Sequence, residues 1–211
     1  MLCDLSIPEV WYLAGLIATD GYFRCNSTAI AISLCGESEH ELLQSILDKF
    51  ESNNYVKYYK SSNNSYQIEI SSQRFRNLLI SFFNIPEHDK TSFVKVPTNI
   101  TNEDCIKAYI LGCLDGDGCI TGINNRKCRA VLLTKSEDFI SGLVDIITTY
   151  CDCKVIKKYK DNYPMFVISG NKNCLQFLDW VYSTSSTLYL KRKKEKYLKV
   201  KDIVCSSMKV K

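Results

Sequence analysis

The chain opens with an apolar run, Val10-Trp11-Tyr12-Leu13-Ala14-Gly15-Leu16-Ile17-Ala18, that stops abruptly at Thr19-Asp20-Gly21. A run of this length closed by an acid and a glycine predicts a buried helix that ends at its acid. Thr28–Leu34 (TAIAISL) then reads as a strand and Ser38–Phe50 as an amphipathic helix. Two β-rich stretches follow, Tyr55–Tyr59 and Tyr66–Ile70, parted by the turn pair Asn63-Asn64. Gln73–Phe83 predicts a further helix.

The same order then recurs. A second apolar run at 108–118 leads to a strand at Arg129–Leu133 and a helix at Ser136–Tyr150. Strands at Lys154–Tyr159 and Met165–Ile168 flank Asp161-Asn162, a plausible hairpin turn, and a helix follows at Asn173–Tyr182. Each half therefore reads helix–strand–strand–helix–strand–strand–helix. Neighbouring strands joined by short turns imply antiparallel sheets, so the predicted class is α+β and not a doubly wound fold. Pro86–Pro97 reads as the linker. The expected division is a first repeat with its linker at 1–97, a second repeat at 98–184, and a tail at 185–211.

The two apolar runs are copies of one motif. WYLAGLIATDGYF (11–23) aligns with AYILGCLDGDGCI (108–120), and Tyr12, Gly15, Asp20 and Gly21 recur as Tyr109, Gly112, Asp117 and Gly118 at a constant offset of 97. Ala14, Gly15 and Gly112 are small enough to let two such helices approach backbone to backbone. Gly21 and Gly118 suit positions after a helix where positive φ is needed. Asp20 and Asp117 would then protrude side by side. Two acids there oppose both the helix dipoles and each other, which calls for a compensating cation.

Leu13-Ala14-Gly15-Leu16-Ile17-Ala18-Thr19-Asp20-Gly21 matches the nonapeptide LAGLIDADG at seven of nine positions. The second copy, Ile110–Gly118, keeps the second-half acids Asp115 and Asp117 and both glycines that flank the pattern, Gly112 and Gly118. The chain thus resembles the single-chain, two-motif LAGLIDADG homing endonucleases over residues 8–200. The resemblance implies two pseudo-twofold αββαββα repeats, motif helices at the interface, and antiparallel sheets forming a saddle on double-stranded DNA. It implies a monomeric enzyme that hydrolyses phosphodiesters at a long asymmetric site, with Asp20 and Asp117 as Mg²⁺ ligands and Mn²⁺ able to substitute. It also implies a lysine near each centre, for which Lys90 and Lys191 are the candidates, with Lys193 a rival. Ala18 and Thr19 depart from the usual acid-small pair, and Thr19 could alter packing or metal geometry at the helix foot. The alternative is a cleavage-inactive relative acting as an intron RNA maturase or a DNA-binding regulator. Replacement of the final acids would mark such a protein, and both acids are present.

Composition refines this picture in three ways. The net charge is only +4, but residues 185–211 carry nine Lys or Arg against Glu195 and Asp202, which leaves the remainder at −3. A basic end on a neutral body suits a polyanion. Its lysines could follow phosphates, or the segment could simply pack Leu198, Val200 and Ile203. Polar and basic strand positions supply DNA-facing candidates: Arg24, Asn26, Lys57, Tyr59 and Lys60 in the first half, and Asn124, Arg126, Lys127, Arg129, Lys154, Lys157 and Lys158 in the second. Eleven scattered cysteines without a signal-like start predict free thiols in a reducing intracellular compartment. No apolar stretch reads as a membrane span. His40 and His88 are the only histidines, too far apart in sequence for an HNH nuclease.

Overall fold

The computed structural model describes residues 1–50, 55–60, 64–100, 102–122 and 127–208, with side chains as far as 206. The first apolar run forms α1 (Pro8–Thr19), with Pro8 in its first turn, where no amide donor is needed, and Asp20 as its C-cap. The first repeat continues through β1 (Gly21–Phe23), β2 (Ala29–Cys35), α2 (Glu37–Phe50), β3 (Val56–Lys60), β4 (Ser65–Ser71) and α3 (Gln73–Ser81). A short helix, α4 (Lys90–Phe93), lies within the linker, where the sequence pattern gave no helix. The second repeat runs through α5 (Glu103–Asp115), β5 (Cys119–Thr121), β6 (Arg129–Leu133), α6 (Glu137–Tyr150), β7 (Val155–Lys160), β8 (Tyr163–Ser169) and α7 (Asn171–Val181), and α8 (Lys191–Met208) follows.

Each repeat builds one four-stranded antiparallel sheet, in the orders β1-β2-β4-β3 and β5-β6-β8-β7. Strand alternation gives each sheet two chemically distinct faces. Ile30 pairs with Ile70 and Ile32 with Ile68 on the inner face of the first sheet, all four fully buried. Ala130 pairs with Ile168 and Leu132 with Phe166 on the inner face of the second. These faces are covered by α2 and α3 in one half and by α6 and α7 in the other, and the outer faces are left open. The hairpin predicted at Asp161-Asn162 has both residues at positive φ, 51° and 68°, as a two-residue primed turn requires. Asn64 is also left-handed, whereas Asn63 lies outside the described residues.

The two motif helices run together through the centre and are buried on nearly every side. Their contact is between backbones. A Cβ on Gly15 would stand 2.1 Å from the Tyr109 carbonyl oxygen, and one on Gly112 would stand 2.1 Å from that of Tyr12. This reciprocity is the pseudo-twofold relation that the repeated sequence predicts.

Gly21 and Gly118 serve a different purpose from the one expected. Positive φ among described glycines occurs at Gly36, Gly122 and Gly170 instead. At Gly21 a Cβ would lie 2.7 Å from Ile17 Cα, and at Gly118 it would lie 2.5 Å from the Leu114 carbonyl oxygen. The chain folds back across the last helical turn at both positions, so close approach, and not handedness, excludes a side chain.

The basic tail packs onto the body. Tyr197 stacks on Tyr182 with ring centroids 4.7 Å apart and donates to Asp179 at 2.6 Å. Arg192 Nε reaches Glu39 at 2.6 Å, and its backbone N–H reaches Ser38 Oγ at 2.9 Å, joining α8 to the first repeat. Val200 and Val204 are buried, whereas Leu198, which the packing alternative for the tail would bury, is 48% exposed. All eleven cysteines are free thiols, and no helix among the described residues is long and apolar enough to cross a membrane.

Because each interface glycine faces a partner backbone carbonyl, accommodation of a methyl requires the helices to separate. Gly15→Ala and Gly112→Ala are each expected to lower the unfolding free energy by about 3 kcal/mol. Denaturant melts measure this; a loss below about 0.5 kcal/mol in either variant would refute the backbone contact.

Candidate active site at the foot of the paired helices

The helices end together, and their ends differ in a complementary way. Thr19 faces Gly116, its counterpart at the same offset of 97. A Cβ on Gly116 would meet Thr19 Oγ1 at 2.0 Å and Asp20 Oδ2 at 3.1 Å. Thr19 turns its hydroxyl back onto its own helix, donating to Leu16 O at 3.0 Å and Gly15 O at 3.2 Å. The larger residue in one motif is thus accommodated by the smallest in the other.

Asp20 and Asp117 stand just beyond the helix ends. Burial holds the Asp20 carboxyl above the ordinary carboxylate range, the Asp117 charge pushes it further up, and Lys193, Lys90 and Arg192 pull it back. Asp117 is likewise held high, chiefly by desolvation, against the pull of Lys90 and Lys193. The two acids therefore share one electrostatic environment.

Two lysines cap the helix ends in equivalent fashion. Lys90 Nζ donates to Ile17 O at 2.8 Å, to Thr19 O at 2.6 Å, and to Gly21 O. Lys193 Nζ donates to Leu114 O at 2.6 Å, Asp115 O at 2.7 Å and Gly116 O at 2.9 Å. A cation at a helix C-terminus opposes the dipole and satisfies carbonyls that have no partner within the helix. Desolvation brings both lysines down to about 8, with the nearby carboxylates opposing the shift. Each ammonium has three donors, and each already meets three carbonyl acceptors. They place positive charge beside the acids without a free proton to offer a ligand.

Lys191, the sequence candidate, lies elsewhere. Its Nζ pairs with Glu41 Oε1 at 3.0 Å and its side chain is 57% exposed. The helical turn of α8 carries Lys193 inward and Lys191 outward, a distinction that the run LKRKK does not reveal.

Asp115, Tyr12 and Arg192 join the site without a role that the sequence pattern assigns to them. Asp115 is buried, with its carboxyl pushed up to about 6 by desolvation and held from going higher by Lys193. Its Oδ2 accepts from Tyr12 OH of the first repeat at 2.9 Å and from the Leu190 N–H at 2.8 Å. It thereby fixes where α8 begins, and with it Lys193. Arg192 approaches Asp20 and Asp115 closely enough to lower both. The sequence signal for Asp115 was its place in the second motif, where Ala18 stands in the first.

The DNA-facing candidates divide by strand parity. Lys57 pairs with Glu69 and Tyr59 with Gln67, opposite in parity to the buried Ile68 and Ile70, so both lie on the outer face. Arg24 reaches that face too, its Nε 3.0 Å from Glu69 Oε2. Asn26 is exposed in the β1–β2 turn at φ 52°. Lys60 has inner parity and lies over the Tyr66 ring at 5.7 Å. In the second half Arg129 and Lys158 are exposed on the outer face, Lys127 is exposed before β6, and Lys154 is exposed before β7. Lys157 has inner parity: its Nζ is ion-paired with Glu137 and donates to Ser141 Oγ at 2.8 Å. Lys60 and Lys157 are thus removed from the outer surface by register. Asn124 and Arg126 lie outside the described residues.

No protein-family description matches this chain, and no curated protein matches it in sequence. Solved structures do match. The homing endonuclease I-WcaI bound to its DNA recognition sequence superposes with a TM-score of 0.62 at 16% identity, covering 90% of this chain and 85% of that one. The LAGLIDADG meganuclease I-AabMI bound to uncleaved DNA gives 0.61 at 16% identity, over 95% and 92%. The N-terminal LAGLIDADG domain of DUF199/WhiA gives 0.56 at 16% identity, over 90% and 86%. The chain has the single-chain, two-repeat LAGLIDADG fold.

Two expectations follow. An aspartate whose pKa is raised on folding binds more protons in the native state than in the unfolded one, between its ordinary and its raised value. Stability therefore falls as pH rises through that window and stays reduced at neutral pH. Asp20→Asn and Asp117→Asn should each raise the thermal midpoint at pH 7 and leave it nearly unchanged below pH 3; lowered midpoints at pH 7 would contradict the shared desolvation. Lys193→Met should cost about 2 kcal/mol by stranding three carbonyls, while Lys191→Met stays within about 0.5 kcal/mol. Equal effects in urea titrations would place the capping lysine wrongly.

Proposed function

We propose that this protein is a site-specific endonuclease that hydrolyses both strands of duplex DNA at a long asymmetric site. The observation that carries the reading is the pair Asp20 and Asp117, held together at the foot of two helices in backbone contact and flanked by half-buried Lys90 and buried Lys193. Such a pair is costly to fold, and its oxygen ligands suit a hard divalent cation such as Mg²⁺, with Mn²⁺ able to replace it. Among the described residues no group of three or more His, Cys, Asp or Glu is arranged to hold a metal, so the two aspartates would share the ion with water and phosphate oxygens.

The bound cation would supply charge neutralisation at the scissile phosphate and a more acidic water. The remaining work falls to the chain itself. Asp20 and Asp117 accept the positive charge and orient the site, one from each repeat, so that each can address one strand. Lys90 and Lys193 hold the acids in place electrostatically. Asp115 and Tyr12 fix the start of α8, and Arg192 adds a further positive charge beside Asp20. The two open sheet faces would lie along the major groove, with Arg24, Lys57, Tyr59, Arg129 and Lys158 directed at the duplex. Homing endonucleases of the same fold, solved on their DNA, support this placement. Reaching both strands from one foot favours bent DNA, which costs a few kcal/mol and selects deformable central steps.

The test is cleavage of a randomised duplex library with Mg²⁺. One asymmetric site cut on both strands is expected to be enriched, with the rate reduced roughly 100-fold or more in Asp20→Asn and in Asp117→Asn. Specific binding without cutting, in Mn²⁺ as in Mg²⁺, would overturn the nuclease reading in favour of a DNA-binding regulator.

A further inference from the structure

The two outer faces share a register but not a chemistry. Across the first sheet, one row of aligned residues reads Tyr22, Ala31, Glu69, Lys57, and the next reads Ser33, Gln67, Tyr59. Across the second sheet the corresponding rows read Cys119, Val131, Val167, Ile156 and then Leu133, Met165, Lys158. Position for position, Glu69 becomes Val167, Lys57 becomes Ile156, Ser33 becomes Leu133 and Gln67 becomes Met165. The hydrogen-bonding centre of one face is replaced by aliphatic and thioether groups on the other.

These apolar groups do not belong to the inner face. Inner parity belongs to Ala130, Leu132, Phe166 and Ile168, whereas Ile156 is 39% exposed, Val131, Leu133 and Met165 are half-buried, and Val167, in the middle of its row, is 7% exposed. Around them stand Arg129, Lys154, Lys158 and Lys160, all exposed, and no acid has outer parity within strands β5 to β8. An apolar strip with a basic rim suits a surface whose edge is polyanionic and whose floor contains apolar groups. The major groove offers one such group, the thymine C5-methyl, whereas every other base edge there presents donors or acceptors. Those polar edges would lose water against Val131, Val167 and Ile156 without a hydrogen bond in return.

We propose that the second sheet reads its half-site through thymine methyl groups, while the first reads through hydrogen bonds. The duplex half under β5–β8 is therefore rich in A·T pairs, with specificity set by Val131, Val167, Ile156, Leu133 and Met165. This rests on the DNA-directed function proposed above.

The experiment uses the full chain and the site enriched from the library, with Ca²⁺ in place of Mg²⁺ and binding measured by fluorescence anisotropy. The half-site under the first sheet is the one whose base preference relaxes in Gln67→Ala. Deoxyuridine replaces every thymine in one half-site at a time, which removes only the methyl. In the half under the second sheet, affinity is expected to fall about 4-fold for each contacted methyl, hence more than 10-fold for two. In the other half it should stay within about 2-fold. Val131→Thr combined with Val167→Thr, which keeps side-chain shape and strand preference, should remove most of the deoxyuridine effect. Equal sensitivity of both halves, or none in either, with specific binding intact, would overturn methyl reading and leave the endonuclease reading standing. Failure to enrich any bound duplex would overturn both.

Discussion

The structure depends on the backbone contact that Gly15 and Gly112 permit across the helix pair. Each glycine lies against the carbonyl of the tyrosine that opens the other helix's contact, Tyr109 for Gly15 and Tyr12 for Gly112. No side chain separates the two backbones, so the helices cannot slide or splay without losing packing along their whole length. Everything functional is placed by this constraint. The helix ends coincide, two aspartates emerge together, and one four-stranded sheet follows each helix. A looser interface would lose packing and would leave the acids unregistered.

Close registration creates an electrostatic problem at the helix foot. Two C-terminal dipole ends, two desolvated aspartates and the buried Asp115 all concentrate negative potential in one place. The chain answers from outside the motifs. Lys90 comes from the linker and Lys193 from the helix that follows the second repeat, each saturating the carbonyls of one helix end. The linker and tail are therefore as much a part of the site as the motifs. Tyr12 of the first repeat and the Leu190 amide meet on Asp115, so the tail's position is referred back to the helix pair itself. Glu39 and Ser38 of α2 hold the same turn of α8 from the first repeat.

Much of this was legible in the sequence, and the omissions have physical causes. Duplication with a constant offset of 97 made the helix pair, the two sheets and Asp20 with Asp117 readable, because one periodic signal repeated twice outweighs local ambiguity. The sequence does not separate Lys191 from Lys193, because a basic run carries no phase until the start of its helix is known, and that start is set by the tertiary bond from the Leu190 N–H to Asp115. Composition without parity places Lys60 and Lys157 on the outer surface. A one-residue difference moves a strand side chain to the opposite face, and the pairing of Lys60 with Tyr66 and of Lys157 with Phe166 settles it. Gly21 and Gly118 were recognised as necessary, but for a backbone handedness that the fold does not use there.

Asymmetry between the repeats is of two kinds, and the kinds have different origins. At the helix foot it is compensated: Thr19 is large where Gly116 is small, and Asp115 is buried and bonded where Ala18 needs no partner. Such differences preserve a common geometry, since any uncompensated change would displace the paired acids. On the outer sheet faces the differences are not compensated. Glu69 beside Lys57 has become Val167 beside Ile156 with no reciprocal change on the first sheet. Outer-face residues share no packing partner across the pseudo-twofold axis, so each sheet is free to diverge while the backbone stays the same. A chain that must keep one site symmetric and make one surface asymmetric separates the two demands by depth: close packing enforces likeness at the centre, and solvent-facing strands carry the difference.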